Sequence, residues 1–302
     1  MAGAKDVQVD GQTLSISNLD KVLYPEAGFT KGEVIDYYAR IADAMLPHLR
    51  GRPLTLRRFP NGVAEKSFFE KRCPKHRPDW VETAPVDTSE GPIDFCLCQD
   101  QATLVWVAQL AALELHPSLS VAKQMDNPTV VAFDLDPGPP ADVVDCCRIA
   151  LRLRELFARF EIECFPKTSG SKGLQVYMPL NGKARYEQTK PFAQAVARVL
   201  EQQTPDEVVS KMAKAARKGK VFVDWSQNDR AKTTVAVYSL RARGHPTAST
   251  PLDWDEVETT AESGDGEAIR FEAPAVLERV EERGDLFAPV LELKQELPEL
   301  GV

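Results

Sequence analysis

The chain has 302 residues, of which 43% are hydrophobic, so it is long enough for a sizeable core and too apolar for general disorder. It contains no run of 18 apolar residues, which excludes a membrane-spanning helix, and its first residues lack the basic-then-apolar pattern of a secretory signal. We therefore expect a cytoplasmic protein.

The net charge is −8, but the charged residues are distributed unevenly along the chain. Nine Lys and Arg stand against two acidic residues in 50–77, and the same counts hold for 211–243. Residues 253–302 carry fifteen acidic residues against four basic ones. A basic stretch indicates phosphate binding even in an acidic chain, although a solvated surface is the alternative for each stretch.

The first half of the chain begins with a flexible end at 1–12, followed by a short strand at 14–16. Thr30 and Glu33 have capping-box spacing for a helix that runs to about residue 49. A strand at 53–59 then leads into a turn at 60–62. Residues 73–92 are rich in proline and charge and indicate a loop, and 101–115 have a helical pattern stopped by His116.

The second half alternates strands and helices. We predict strands at 129–136, 163–167, 174–179, 221–225 and 233–240, and helices at 142–160, 186–202 and 274–282. No helix separates the strands at 163–167 and 174–179, so this pair is antiparallel and the sheet is mixed. The pattern indicates an α/β or mixed α+β fold, in which the acidic segment 250–302 packs on a single domain of residues 13–302.

Six cysteines are expected to stay reduced in a cytoplasmic protein. Cys146 and Cys147 lie in an apolar helical stretch and are predicted to be small core residues. A set that matches zinc ligands in number and type is formed by Cys73, His76, Cys96 and Cys98. Its spacing is not that of a standard zinc pair, so structural roles are favoured.

Two aspartates lie two residues apart in the apolar strand TVVAFDLD at 129–136. Because side chains alternate faces along a strand, Asp134 and Asp136 lie together on the face opposite Phe133. Like charges held this close require a cation, and an oxygen-only site suits Mg²⁺ or Mn²⁺. A turn-forming strand end is the alternative, but the position of Asp134 inside the apolar run favours metal binding.

A third carboxylate, Asp224, interrupts another apolar strand, KVFVDW. An isolated salt bridge would explain it. As a third ligand beside Asp134 and Asp136, it completes the kind of two-metal site that catalyses in-line phosphoryl displacement. The three aspartates are therefore the predicted metal ligands of a nucleotidyl transferase.

The segment TSGSKG at 168–173 joins two strands and is a candidate phosphate loop. Its glycines allow close backbone approach, Ser169 and Ser171 offer hydroxyls, and Lys172 offers a positive charge. The segment is not a Walker loop, and a plain turn is the alternative.

Further basic groups are candidates for the same phosphate site. His116 ends a predicted helix, where it serves either as a cap or as a donor to phosphate. Lys232, Arg241 and Arg243 follow the Asp224 strand, and the two arginines are spaced to face the same way on a strand-like stretch.

Taken in chain order, these segments resemble the polymerase domain of bacterial DNA ligase D, a branch of the archaeo-eukaryotic primase superfamily. The resemblance rests on DKVLYP (20–25), GRP (51–53), FPNG (59–62), FFEK (68–71), ALELH (112–116), FDLDPG (133–138), TSGSKG (168–173), KVFVDWSQN (220–228) and YSLRAR (238–243). It implies a primase-like fold of mixed sheets flanked by helices, with the metal site between an N-terminal α/β part and an RRM-like part.

The resemblance also implies an activity and its residues. It implies a template-dependent, two-metal nucleotidyl transferase, often manganese-dependent and often using ribonucleotides, that acts at short gaps and DNA ends in end joining or excision repair. Residues near the incoming triphosphate are His116, Ser169, Ser171, Lys172 and Arg241. Lys21 and Lys31 match lysines that hold a downstream 5′-phosphate, and Phe68 and Phe69 match aromatics that stack on bases. Arg57 stands where a 5′-phosphate lysine is expected, so the charge is kept but the geometry changes.

The expected partners are gapped or broken DNA, NTP or dNTP, a separate DNA ligase and the end-binding protein Ku. No ligase or nuclease module is present in the sequence, so we expect a stand-alone, monomeric protein at the bacterial nucleoid. Two alternatives are a haloacid-dehalogenase-type phosphatase, which would use Asp134 and Asp136, and a non-catalytic DNA-end-binding module. The phosphatase motif is usually followed by Gly-Thr near the chain start, whereas here Pro-Gly follows beyond residue 130.

Overall fold

A computed structural model describes residues 4–89 and 91–298, and its contacts divide the chain into two compact units. The first unit covers the chain up to Lys123, together with Thr233–Ser249 and Phe271–Asp285. The second unit covers Gln124–Lys232, Thr250–Arg270 and the chain from Leu286 onward.

The strands of the described residues are, in chain order, β1 (Lys5–Val9), β2 (Gln12–Ile16), β3 (Val22–Tyr24), β4 (Phe29–Thr30), β5 (Pro53–Arg58), β6 (Phe68–Glu70), β7 (Thr83–Thr88), β8 (Gly91–Leu97), β9 (Ala112–Pro117), β10 (Val130–Pro137), β11 (Phe165–Thr168), β12 (Leu174–Pro179), β13 (Val208–Val209) and β14 (Val221–Asp224). The helices are α1 (Lys31–Arg40), α2 (Ala42–Leu49), α3 (Gln101–Gln109), α4 (Val143–Ala158), α5 (Tyr186–Gln203), α6 (Trp254–Ser263), α7 (Ala273–Arg283) and α8 (Pro289–Glu292).

The main sheet of the first unit is centred on β5, which pairs antiparallel with β6, β8 and β9, while β7 pairs with β8. Helix α1 begins with the predicted capping box, because the Thr30 hydroxyl accepts from the Glu33 amide and the Glu33 carboxylate accepts from the Thr30 amide. Buried tyrosines tie α1 to the rest of the unit: Tyr37 donates to the Tyr238 carbonyl and Tyr38 to the Leu113 carbonyl.

The sheet of the second unit has the order β11-β12-β10-β14-β13, and all of its pairs are antiparallel except β13 with β14. One face is apolar, because Phe133 of β10 packs on Phe157 of α4, which stacks on Phe192 of α5. The alternation of β10 therefore places Asp134 and Asp136 on the opposite face. The predicted mixed α/β fold with sheets flanked by helices is confirmed.

Several predicted elements of the first unit are wrong. The flexible end expected at 1–12 contains β1, which pairs with β2 from Lys5 to Ile16. The loop expected at 73–92 contains β7 and the start of β8. The strand expected at 233–240 is absent: within this described segment only isolated bridges form, at Thr233 and at Leu240. Two of these errors are missed hairpins, because β1 pairs with β2 and β7 pairs with β8 across short turns.

The helix predicted at 101–115 ends at Gln109, and the chain then turns into β9. Ala111 has a positive φ of 56°, which a continuing helix does not allow. His116 therefore lies on a strand and does not cap a helix. An unbroken apolar run does not distinguish a helix from a buried strand, which explains the error.

The second unit follows its predicted elements closely, but the sequence pattern missed helices α6 and α8 and the short strand β13. The single domain expected at 13–302 stays a prediction. Among the described residues, no helix combines the length and apolar composition that a membrane crossing requires.

The cysteines differ from expectation in one pair. Cys73 and Cys96 form a disulfide, so neither is the reduced thiol that was predicted, and the proposed zinc set loses two of its ligands. Cys98 is a free, buried thiol beside this pair. Cys146 and Cys147 are buried in α4 as predicted.

Candidate active site

Strand register places the three predicted metal ligands on one face of the sheet of the second unit. Asp134 lies directly opposite Asp224 in the antiparallel pair of β10 and β14, and Asp136 lies two residues along β10 on the same face. Asp224 is 9% exposed, and Asp134 and Asp136 are partly exposed. Strand pairing thus brings the three carboxylates to one face, whereas alternation along a single strand related only Asp134 to Asp136.

The carboxylate of Asp224 is directed to its own loop. Its Oδ1 accepts hydrogen bonds from the amide and hydroxyl of Ser226, and its Oδ2 accepts from Nε2 of Gln227 at 2.8 Å. Among residues 4–89 and 91–298, no group of three or more His, Cys, Asp or Glu side chains is arranged to hold a metal ion. The aspartates therefore share a face without forming a closed ligand set, and their role as metal ligands stays a prediction.

The electrostatics of this face nevertheless fit a cation. Burial, followed by the charges of Asp136 and Asp224, raises the pKa of Asp134 to about 7, against the lowering effects of the Gln175 hydrogen bond and the Lys167 charge. A bound cation would stabilise the ionised form of such a cluster of carboxylates. Three carboxylates with oxygen donors are the donor set that Mg²⁺ and Mn²⁺ take.

A polar row that the sequence analysis missed extends from Asp134 across the sheet. Lys167 on β11 lies opposite Gln175 on β12, which lies opposite Asp134 on β10. The Lys167 ammonium donates to Oε1 of Gln175 at 2.6 Å, and Nε2 of Gln175 donates to Oδ1 of Asp134 at 3.1 Å. Lys167 is fully buried. The alternation of the two hairpin strands could have shown this row once their register was known.

The serine-glycine loop at 168–173 closes the β11–β12 hairpin, as predicted. The Ser169 hydroxyl accepts hydrogen bonds from the amides of Ser171 and Gly173, and the Ser169 amide donates to the Gly173 carbonyl. The amides of Ser171 and Gly173 are therefore bonded within the loop. A Cβ on Gly173 would lie 2.1 Å from the Leu135 carbonyl oxygen, so only glycine lets the loop approach the end of β10.

The predicted lysines of the second unit both lie near the aspartates. Lys172 donates to the Pro137 carbonyl at 3.3 Å, next to Asp136. Lys232 donates to the hydroxyl of Ser226, which in turn donates to Asp224. Both cations can therefore neutralise phosphate charge next to the carboxylates.

In the first unit, a single carboxylate bonds to three of the basic residues that were predicted to bind phosphate. Glu114, which is 2% exposed, bonds to Arg57 at 3.2 Å, His116 at 3.1 Å and Arg241 at 3.3 Å. Burial lowers the pKa of His116, although its bond to Glu114 opposes this. Sequence reasoning missed Glu114 because it assigned 112–115 to a helix.

Arg243 differs from its predicted arrangement. The Arg243 amide donates to the Arg241 carbonyl, which forms a turn where a strand was expected. Partial burial and the charge of Arg241 lower the pKa of Arg243, which still remains protonated. The two arginines are thus electrostatic neighbours, but strand alternation does not orient them.

The two lysines predicted to bind a 5′-phosphate lie together in the first unit. Lys21 donates to Oδ1 of Asn61 at 2.9 Å, and Lys31 donates to the Ser17 carbonyl at 3.0 Å. Burial, then the charges of Lys21 and Arg58, lower the pKa of Lys31 to about 8. Arg58 is therefore the arginine that acts on Lys31, together with Lys21, whereas Arg57 pairs with Glu114.

Phe68 and Phe69 are adjacent on β6 and are 45% and 60% exposed. Neighbouring strand residues point to opposite faces, and each ring lies against a different guanidinium. The Arg58 guanidinium lies 5.3 Å from the Phe68 ring centroid, and the Arg57 guanidinium lies 5.3 Å from that of Phe69. The two rings therefore offer separate surfaces for base stacking.

A mixed α/β fold with three carboxylates on one sheet face is the arrangement expected of a metal-dependent nucleotidyl transferase with a primase-like fold. The family described as LigD, primase-polymerase domain, matches residues 30–287. The chain therefore belongs to this family of DNA-directed nucleotidyl transferases.

Individual relatives agree with the family match. The multifunctional non-homologous end joining protein LigD of Mycolicibacterium smegmatis is 43% identical over 281 residues, which cover 92% of this chain and 36% of that protein. The bifunctional LigD of Bacillus subtilis is 31% identical over 275 residues, which cover 91% of this chain and 43% of that protein. The chain thus spans less than half the length of these relatives.

A solved structure extends the likeness to the fold. The polymerase domain from Mycobacterium tuberculosis ligase D in complex with DNA has a TM-score of 0.85 and 39% identity to this chain. The match covers 93% of this chain and 99% of that one. The phosphatase alternative is wrong, because the chain belongs to a different family.

Proposed function

We propose that this chain adds nucleotides to DNA under the direction of a template, at short gaps or ends, in non-homologous end joining. The observation that carries the proposal is the position of Asp134 opposite Asp224, with Asp136 on the same face and the pKa of Asp134 raised to about 7. Family membership and the likeness to a polymerase domain solved with DNA support it.

Asp134, Asp136 and Asp224 are the residues that would hold two Mn²⁺ or Mg²⁺ ions. When bound, such ions neutralise charge on the attacking and leaving oxygens of a phosphoryl transfer. The chain itself brings the three carboxylates to one face, and Gln175 holds Asp134 by a hydrogen bond to Oδ1.

Each unit contains candidate contacts for a triphosphate. In the second unit, Lys172 supplies a charge at the end of β10, and Lys232 supplies one beside Asp224 through Ser226. The Ser169 hydroxyl maintains the shape of the loop, since it accepts two amides, and Ser171 offers the remaining hydroxyl. His116, Arg241 and Arg243 supply donors from the first unit.

Lys21 and Lys31 bind the 5′-phosphate at the downstream side of a gap. The lowered pKa of Lys31 supports this role, because an ammonium with cationic neighbours is stabilised by a phosphate. Arg58 adds to the same positive site, and Arg57 contributes charge at the Glu114 cluster instead. Phe68 and Phe69 stack on bases at the break through their exposed faces.

The finer assignments extend the same proposal. Ribonucleotides are preferred over deoxyribonucleotides, a separate DNA ligase seals the product, and the end-binding protein Ku recruits the enzyme. The protein acts as a monomer at the nucleoid. Gap filling in excision repair uses the same chemistry and is the second pathway open to it.

The proposal is tested by extending a labelled primer across one- and two-nucleotide gaps, with each NTP and dNTP in Mn²⁺ and in Mg²⁺. Wild-type protein is expected to add nucleotides, most efficiently ribonucleotides with Mn²⁺. Asp136→Ala is expected to abolish addition but not DNA binding, whereas Asp206→Ala, which changes an exposed acidic residue, is expected to leave addition intact. Binding to DNA without addition in the wild type would refute the proposal and favour a non-catalytic module.

A further inference from the structure

Glu114 is a buried carboxylate with an unusually complete set of donors. Oε1 accepts from Nε of Arg241 at 3.3 Å and from the Ala242 amide at 3.1 Å. Oε2 accepts from Nη1 of Arg57 at 3.2 Å and is 3.1 Å from Nε2 of His116. All of these residues belong to the first unit.

The donors come from three separate segments of that unit. Arg57 on β5 lies directly opposite Glu114 on β9, and His116 follows two residues along β9 on the same face. Arg241 and Ala242 come from a distant turn. Burial would raise the pKa of Glu114, but the bond from His116 and the charge of Arg241 hold it well below its usual range. The carboxylate is therefore ionised and compensates the mutual repulsion of the two guanidiniums.

A second set of contacts extends this arrangement to an exposed ring. Phe69, Arg57 and Glu114 lie in register across β6, β5 and β9. The Arg57 guanidinium is 5.0 Å from the Phe59 ring centroid and 5.3 Å from that of Phe69. The Phe69 ring also meets the His116 ring edge-on, at 5.8 Å between centroids. Arg57 is thus fixed by one carboxylate and two aromatic rings.

We propose that Glu114 is a positioning residue that sets the geometry of Arg241 and His116 for the triphosphate and, through Arg57, of Phe69 for base stacking. This inference rests on the proposed function. In this arrangement Arg57 connects Glu114 to the Phe69 ring, which explains why an arginine fits at this position. A lysine has no planar fork to bond a carboxylate while lying between two rings.

Glu114→Gln is the direct test. The amide keeps one acceptor oxygen but presents an NH₂ group to donors, so at least one of the cations loses its partner. The KM for the nucleotide is expected to rise roughly 10- to 100-fold, as for loss of hydrogen bonds to a charged group, with a smaller change in kcat. The preference for a gap with a 5′-phosphate over the same gap without it is expected to stay within about twofold, because Lys21 and Lys31 bond to Asn61 and to the Ser17 carbonyl.

A double-mutant cycle separates positioning from simple loss of stability. Arg241→Gln is measured in the wild type and in Glu114→Gln, with inorganic tripolyphosphate binding by calorimetry as a readout besides activity. The effect of Arg241→Gln is expected to be several-fold smaller in the Glu114→Gln background, since the arginine is already displaced. Additive effects, or an unchanged nucleotide KM in Glu114→Gln, would overturn the inference.

Arg57→Lys supplies a second test if Glu114→Gln folds poorly. It keeps the positive charge and is expected to reduce stacking, so that a further Phe69→Ala change has less effect than it has in the wild type. Equal effects of Phe69→Ala in both backgrounds would overturn the role of Arg57 in positioning Phe69. Wild-type protein that adds no templated nucleotide would instead refute the proposed function, so the two failures are distinguishable.

Discussion

Asp134→Asn removes one of three like charges from the face of β10 while it keeps the shape of the side chain. Because the neighbouring lysines only partly offset these charges in metal-free protein, we expect the variant to be more stable than the wild type in a chelator at pH 8. It should also fail to gain stability from Mn²⁺. A substitution that stabilises the apo protein and abolishes metal binding is the signature of a metal ligand in an electrostatically strained cluster.

The magnitude follows from the pKa of Asp134. A rise from the ordinary value of 3.8 to about 7 limits the penalty on the ionised carboxyl to about 4 kcal/mol. Because Asp134 is partly exposed, solvent screening reduces this to about 1–2 kcal/mol. In a protein of this size, that corresponds to a rise in Tm of about 2–8 °C.

The sign of the pH dependence is fixed by the direction of the pKa change. Between pH 3.8 and about 7, the folded wild type binds more protons at Asp134 than the unfolded chain does. Its free energy of unfolding therefore falls as the pH rises through this window, and the full penalty is present above it. The difference in Tm between the variant and the wild type should be near zero at pH 4 and largest at pH 8.

Thermal unfolding by circular dichroism, in EDTA and in Mn²⁺ at pH 4, 6 and 8, measures each of these quantities. Asp206→Asn, which changes an exposed acid of the same unit, is the matched control. A variant less stable than the wild type in EDTA at pH 8 would refute the electrostatic reasoning. Equal stabilisation of both proteins by Mn²⁺ would refute the ligand assignment.

Three further results are expected. Lys21→Ala or Lys31→Ala should remove the preference for a 5′-phosphorylated gap but leave simple primer extension; equal loss with and without the phosphate in extension assays would count against that role. Gln175→Leu removes the amide that joins Lys167 to Asp134, so Mn²⁺ affinity measured by electron paramagnetic resonance should fall about tenfold, as for other residues that orient a ligand. Unchanged affinity would show that the row is only structural. Binding to gapped DNA, followed by fluorescence anisotropy, should weaken steeply with salt because phosphate contacts release counterions, and a flat response would contradict such contacts.

Local sequence patterns were sufficient for several local interactions, although they missed the hairpins β1–β2 and β7–β8. The capping box of α1 depends on Thr30 and Glu33 alone, and the shared face of Asp134 and Asp136 depends only on strand alternation. The hairpin around residues 168–173 followed from two apolar runs separated by a short turn. These predictions needed no knowledge of distant residues.

Long-range pairing determined what local patterns could not. Asp224 was recognised as unusual, but only the register with β10 places it opposite Asp134. Glu114 was missed because an apolar run is compatible with both a helix and a buried strand. The Cys73–Cys96 disulfide depends on the approach of two segments 23 residues apart, which spacing alone does not reveal.

The assignment of Arg57 shows a different limit. Its charge suggested a phosphate contact, and charge alone does not distinguish Arg57 from its neighbour Arg58. The structure separates them by face: Arg57 bonds to Glu114, while Arg58 bonds to Glu70 and acts on Lys31. Sequence reasoning identified the basic segment, and the contact of Arg57 with a 5′-phosphate stays a prediction.

Templated addition by the aspartate cluster is tested most directly by single-nucleotide extension across a one-nucleotide gap, with each of the four template bases in turn. We expect wild-type protein with Mn²⁺ to add the complementary nucleotide in every case, and Asp136→Ala to bind the same DNA without adding any. Addition that ignores the template base, or normal addition by Asp136→Ala, would contradict the assignment of this chain's catalytic face.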